Sequence, residues 1–147
     1  MKRLVGKTIE KILIDKLNGE NFIQFITNDG NFLYEAQGDC CSESWFADII
    51  GVRNAIGSRV TQVEDVKESC STEEDSANRS RQEYDLIYSI KIHHTNGILD
   101  VIFRNSSNGY YGGGYAFVGK GIPEAYNPAT KKKYEIEMFE IIEDYQA

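Results

Sequence analysis

Hydrophobic and polar positions alternate with period two along much of this chain, and turn residues separate the alternating runs. The run GKTIEKILIDK (6–16) places Ile9, Ile12 and Ile14 among polar neighbours. Its position just before a hairpin sequence makes this run a strand. In that hairpin, NFIQFITNDGNFLYEAQ (21–37), aromatic and β-branched residues flank Asn28-Asp29-Gly30, a turn signal in which the glycine takes positive φ. Phe22, Phe25, Phe32 and Tyr34 then fall on paired strands. The same logic is stronger in YDLIYSIKIHHTNGILDVIFRN, where Asn96-Gly97 joins a strand near 83–95 to one near 98–104. Ile90 and Ile92 share one face of the first strand. On the second, Ile98, Asp100 and Ile102 oppose Leu99, Val101 and Phe103, so both faces are partly apolar and the pair belongs inside a sheet.

The period changes in SWFADIIGVRNAIG (44–57). Trp45, Ile49, Val52 and Ile56 recur at three- and four-residue spacing, which predicts one face of a helix. Gly51 divides the segment into two short helices and Gly57 ends the second. RVTQVEDVKES (59–69) is β-branched, but Val60, Val63 and Val66 lie three apart, so a strand there needs a bulge. CSTEEDSANRSRQ (70–82) is polar and reads as a loop or hairpin tip. Residues 106–133 hold many glycines and aromatics and both prolines, and read as a structured loop. YEIEMFEIIEDYQ (134–146) fits a closing strand or a helix. The expected fold is α+β in one domain over 1–147: a mainly antiparallel twisted β-sheet with one or two short helices between residues 42 and 56.

Length and charge narrow the function classes. At 147 residues the chain buries a core without obligatory disulfides or metal. A formal charge of −7 argues against a duplex nucleic-acid surface, which needs clustered Lys and Arg. It does not argue against a small anionic ligand, for which one arginine and a few backbone N–H groups suffice. No apolar run reaches the length of a membrane helix. Glu10 and Lys11 interrupt the start as a secretory signal, so the expected location is cytoplasmic, in the host cell if the chain is phage-encoded. Cys40, Cys41 and Cys70 are odd in number and partly adjacent, unlike a secreted disulfide framework.

Two stretches carry candidate chemistry. The first, GDCCSESWF (38–46), has the form of a metal site, a thiol site or a helix start. Adjacent cysteines rarely both reach one tetrahedral metal, and His93 and His94 on a strand point to opposite faces. A thiolate at a helix N-terminus with a histidine base is the nucleophilic reading. In the structural reading Asp39 or Ser42 caps a helix, Cys40 and Cys41 pack, and Trp45 and Phe46 anchor it. The second stretch is FRNSSNGYYGGGYAF (103–117). Arg104 can hold a phosphate, Asn105, Ser106, Ser107, Asn108 and the glycines can line an anion nest, and Tyr110 and Tyr111 can stack on a base. The competing reading is a tight turn whose Asn and Gly residues satisfy unusual backbone angles. The spacing is not that of a P-loop. No catalytic constellation, metal site or cofactor is expected.

GDCCSESWF, RQEYD and FRNSSNGYYGG together resemble an uncharacterised-domain family of phage and prophage-bearing bacterial genomes, over roughly residues 3–118. That family brings no catalytic assignment. In general character the chain is similar to anti-defence sponges that sequester cyclic nucleotide or cyclic ADP-ribose immune signals. The similarity implies a non-enzymatic homo-oligomer holding its ligand through arginine, aromatic stacking and backbone amides. Two further classes stay open: a protein-interaction module that blocks a host defence or polymerase protein, and a cysteine-dependent hydrolase.

Overall fold

Two five-stranded antiparallel sheets share one apolar core. The computed structural model describes residues 1–38, 42–71, 84–107 and 113–147. Its strands are β1 (Ile9–Ile14), β2 (Phe22–Thr27), β3 (Gly30–Gly38), β4 (Glu43–Ile50), β5 (Val60–Ser71), β6 (Tyr84–His94), β7 (Gly97–Ser107), β8 (Gly113–Gly119), β9 (Glu124–Asn127), β10 (Lys132–Glu135), β11 (Phe139–Ile141) and β12 (Tyr145–Gln146). The first sheet has the order β11-β1-β2-β3-β8, the second β12-β4-β7-β6-β5, and β9 pairs with β10 alone. The mainly antiparallel architecture agrees with the expectation from the sequence.

Both hairpins form where the turn residues place them. Gly30 and Gly97 have φ of 106° and 137°, a region open to glycine because it has no Cβ. β6 and β7 then pair without a register break from His94↔Gly97 to Tyr84↔Ser107. β7 is the middle strand of its sheet. Leu99, Val101 and Phe103 are buried in the core with Ile90 and Ile92 opposite them, whereas Ile98 is exposed. β5 carries the bulge its valine spacing demanded, between Val60 and Gln62, and a second between Lys67 and Ser69.

The helix expected from residue 42 onward is corrected. Residues 43–50 are strand β4, and α1 is a single turn, Val52–Ala55. Ser42 therefore caps no helix. The cause is a bulge at Ala47, where the register with β7 shifts between Phe46 and Asp48. One extra residue lets Phe46 and Ile49, three apart, both join the core, which imitates helical spacing. Trp45 is fully buried but lies outside that core cluster, on the opposite face from Phe46. Gly51 has φ of 92°, and a Cβ there would sit 2.5 Å from the Ile98 carbonyl oxygen, so this position requires glycine on two grounds. Gly57, with φ of 86°, follows the helical turn as expected.

Two other expectations are refined. Within the expected loop at 106–133, Gly113–Gly119 is a regular strand on β3 and Glu124–Asn127 begins a hairpin. The 134–146 segment is strand rather than helix, and it divides among three partners: β10 on β9, β11 on β1, and β12 on β4. The chain thereby crosses from one sheet edge to the other. The β1–β2 turn fastens this side. Glu20 accepts the Phe46 N–H through its carbonyl and the Tyr145 hydroxyl at 3.2 Å through its carboxylate. Asp15, fully buried, accepts the N–H groups of Asn21 and Phe22 at 3.1 Å each. Its desolvation outweighs those bonds and pushes the carboxyl pKa up to about 6.

Candidate functional site

Strand pairing brings the two unusual sequence stretches together. Ser44 lies opposite Asn105, Trp45 opposite Arg104 and Phe46 opposite Phe103, while Gly38 lies opposite Gly113. Asn105 is completely buried and its amide donates to the Ser42 and Ser44 hydroxyls at 3.1 and 2.9 Å. A Cβ on Gly38 would sit 2.7 Å from the Ser42 hydroxyl oxygen, and one on Gly113 would collide with Ser44 and lie 2.8 Å from the Asn105 Cβ. The two sheets meet closely here, and a facing pair of glycines makes room for the amide between them.

Alternation along β7 turns Arg104 to the face opposite Phe103. There its guanidinium stands 3.3 Å from the Asp85 carboxylate, which is fully buried. Asp85 pairs with Ser106, two positions on, so the ion pair is a diagonal cross-strand contact. Ser106 and Ser107 are also buried. Of the residues expected to hold ligand, Arg104, Asn105, Ser106 and Ser107 are thus placed in the interior at this end of the sheets. Asn108, Tyr110 and Tyr111 lie outside the described residues, as do Asp39, Cys40 and Cys41.

On the core side of the same strand a cleft of about 510 Å³ opens between β8 and the second sheet, lined by Asp65, Tyr88, Ser89, Ile90, Phe103, Gly113, Gly114 and Tyr115. Tyr88 stacks on Phe103 with centroids 4.6 Å apart and planes 8° from parallel. Tyr115 meets Phe103 edge-on at 5.8 Å and 79°. Its hydroxyl donates to Asp65 at 2.7 Å and accepts from the Met1 amino group at 2.7 Å. Burial, then the neighbouring Asp65 carboxylate, raises the Tyr115 phenol pKa, so at neutral pH it is a neutral donor. Asp65 is the one charged side chain among the described residues lining this cleft. A second hollow, of about 670 Å³, runs along Glu35, Ala36, Gln37 and Gly38 and shares Gly113, Gly114 and Tyr115 with the first.

Phe103, Gly113, Gly114 and Tyr115 belong to the stretch singled out from the sequence. Asp65, Tyr88, Ser89 and Ile90 do not. A signal for Tyr88 was present: counting outward from the Asn96-Gly97 turn pairs it directly with Phe103. The histidines stand apart from the cleft residues. His93 lies 3.5 Å from Glu64, and buried His94, its pKa lowered by desolvation, accepts the Asn96 N–H on Nδ1. Among the described residues no three potential metal ligands come together, and no helix is long and apolar enough to cross a membrane.

Fold and site together define a small two-sheet antiparallel β domain with an aromatic cleft beside one edge strand. The chain belongs to a family described as a domain of unknown function, DUF7448, whose model matches residues 2–117. It is 32% identical over 112 residues to an uncharacterized protein of Acanthamoeba polyphaga mimivirus, an alignment spanning 74% of this chain and 85% of that protein. The viral source of that relative is consistent with a phage or viral origin. No solved structure matches the chain.

Proposed function

We propose that this chain is a non-enzymatic, phage-type anti-defence protein that takes up and sequesters a small nucleotide-derived immune signal, of the cyclic nucleotide or cyclic ADP-ribose kind. The observation that carries the reading is the aromatic cleft. Its volume of about 510 Å³ suits a small organic ligand. Phe103 covers one face of the Tyr88 ring, and the half-exposed Tyr88 can extend that stack to a base. Asp65 can accept hydrogen bonds from ribose hydroxyls or an exocyclic amine. Gly113 and Gly114 let a ligand approach the main chain closely. The cleft residues Phe103 and Gly113 also bracket, in sequence, the segment 104–112 that holds the expected polar and tyrosine ligands. Arg104 is engaged by Asp85, so in this reading the base and sugar supply more of the recognition than the phosphate does.

Calorimetric titration with a panel of cyclic nucleotides and ADP-ribose derivatives tests the proposal. Binding of at least one member is expected, weakened about tenfold or more by Tyr88→Ala, since base stacking is worth about 1–3 kcal/mol. Absence of binding at high micromolar ligand, or binding indifferent to Tyr88, would sink it. Heat release of the intact molecule separates sequestration from turnover.

A second reading, a module that blocks a host defence or polymerase protein, draws on the β9–β10 hairpin, where Tyr126 and Tyr134 are 58% and 46% exposed. It expects a stoichiometric protein partner lost on Tyr126→Ser with Tyr134→Ser, and no small molecule in the denatured supernatant.

A further inference from the structure

The two sheets have four edge strands, and three of them are guarded. β11 and β12 are short, three and two residues, and Glu140 sits in the first. β5 is long but bulged twice, its sequence carries Glu64, Asp65, Lys67 and Glu68, and Asp65 points toward the space between the sheets. Short length, bulges and inward-pointing charge are the devices by which sheets resist pairing with other chains. β8 has fewer of them. Its sequence, GGYAFVG, contains no charge and no proline, and its register on β3 is unbroken from Gly113 to Phe117, the shift falling only beyond, at Val118. Among the described residues β3 is its one strand partner.

We infer that β8 is where two copies of this chain join, antiparallel about a two-fold axis at Tyr115, so that each aromatic cleft gains a wall from the partner. Charge selects the occupant. Each copy carries −7, and 27% of its residues are charged, yet Gly113–Gly119 holds no charged residue. Two acidic molecules can pair along such a strand with no carboxylate on either of the paired strands, and the Asp65 carboxylate that stands nearest the axis is hydrogen-bonded by Tyr115. Side-chain sizes fit the same axis. In that register Gly113 pairs with the partner's Phe117, Gly114 with the partner's Ala116 and Tyr115 with its own copy, so small residues stand opposite larger ones and let the two backbones approach. Because Gly113, Gly114 and Tyr115 line the cleft, the partner's Phe117 becomes part of its rim. The function of that rim rests on the ligand reading above; the dimer itself does not.

Light scattering during size exclusion, at about 100 µM protein and physiological salt, gives the first measurement. The expected mass is twice the 16.7 kDa of the chain. Hydrogen exchange at high and low protein concentration gives the second, with the amides of 113–117 more protected at high concentration. Ala116→Lys is the variant of choice, because Ala116 lies opposite Glu35 on β3, where a lysine supports the fold while charging the edge. It should keep the thermal midpoint and weaken self-association about tenfold or more. A monomer at about 100 µM, or a dimer whose 113–117 amides exchange alike at both concentrations, overturns the inference. A β8 dimer that binds none of the nucleotide panel upholds the inference and removes only the ligand reading.

Discussion

Arg104 and Asp85, on neighbouring strands of the second sheet, form an ion pair at 3.3 Å whose carboxylate is completely buried. Removing one partner of such a pair takes from the other the opposite charge that offsets its desolvation, a change that costs about 3–5 kcal/mol. Asp85→Ala is therefore expected to destabilise strongly in urea unfolding. Arg104→Met combined with Asp85→Leu should cost much less than the two single changes summed. If the singles add without coupling, the pair is not the interaction described. Arg104→Met should also leave Tyr88-dependent ligand binding in place, because the guanidinium lies on the face away from the cleft.

Gly113 and Gly114 are neighbours with opposite sensitivities. A methyl group at 113 meets Ser44 and Asn105, while one at 114 meets nothing within 4 Å. Overpacking of this kind costs about 1–3 kcal/mol, so Gly113→Ala should lower stability by that amount and Gly114→Ala by less than about 1 kcal/mol. Thermal or urea midpoints of the two variants, measured side by side, decide it. Equal losses would mean that the close approach of the sheets at Asn105 relaxes freely.

The buried Asp15 makes a signed contribution to pH dependence. Its pKa is raised from 3.8 to about 6, so between those values the folded state binds more protons than the unfolded state. Stability from this group is complete below about pH 4 and is lost as pH rises through about 6. At about 1.4 kcal/mol per pKa unit, the loss amounts to roughly 3 kcal/mol. Other carboxylates titrate in the same range, so the informative quantity is the difference between wild type and Asp15→Asn. The wild type should lose more stability than the variant on going from pH 4 to 7. Parallel profiles would refute the assignment.

These features differ in how far the sequence alone revealed them. The two hairpins were legible because their turns are local: Asn28-Asp29-Gly30 and Asn96-Gly97 need only their own backbone preferences, and each then sets a register by counting. The segment 43–50 was misread because a β-bulge at Ala47 spaces Phe46 and Ile49 as a helix would. Periodicity cannot tell an inserted strand residue from a helical turn. The partners of β11 and β12 were not legible at all, since Ile141 meets Ile12 and Tyr145 meets Ile49 across most of the chain. At the site, the 103–117 stretch marked the right end of the molecule. It gave no sign that Arg104 would turn toward Asp85, because Asp85, with Glu83 on one strand face, has no matched partner that the sequence identifies.

The family model ends at residue 117, inside β8, whereas β11 and β12 lie beyond it. During synthesis the two sheets emerge before the strands that cover β1 and β4. For that interval both have an unpaired backbone edge as well as the edges at β5 and β8. The strands beyond β8 thus work as a late fastener, and the nascent chain is most vulnerable to pairing with its neighbours just before they arrive.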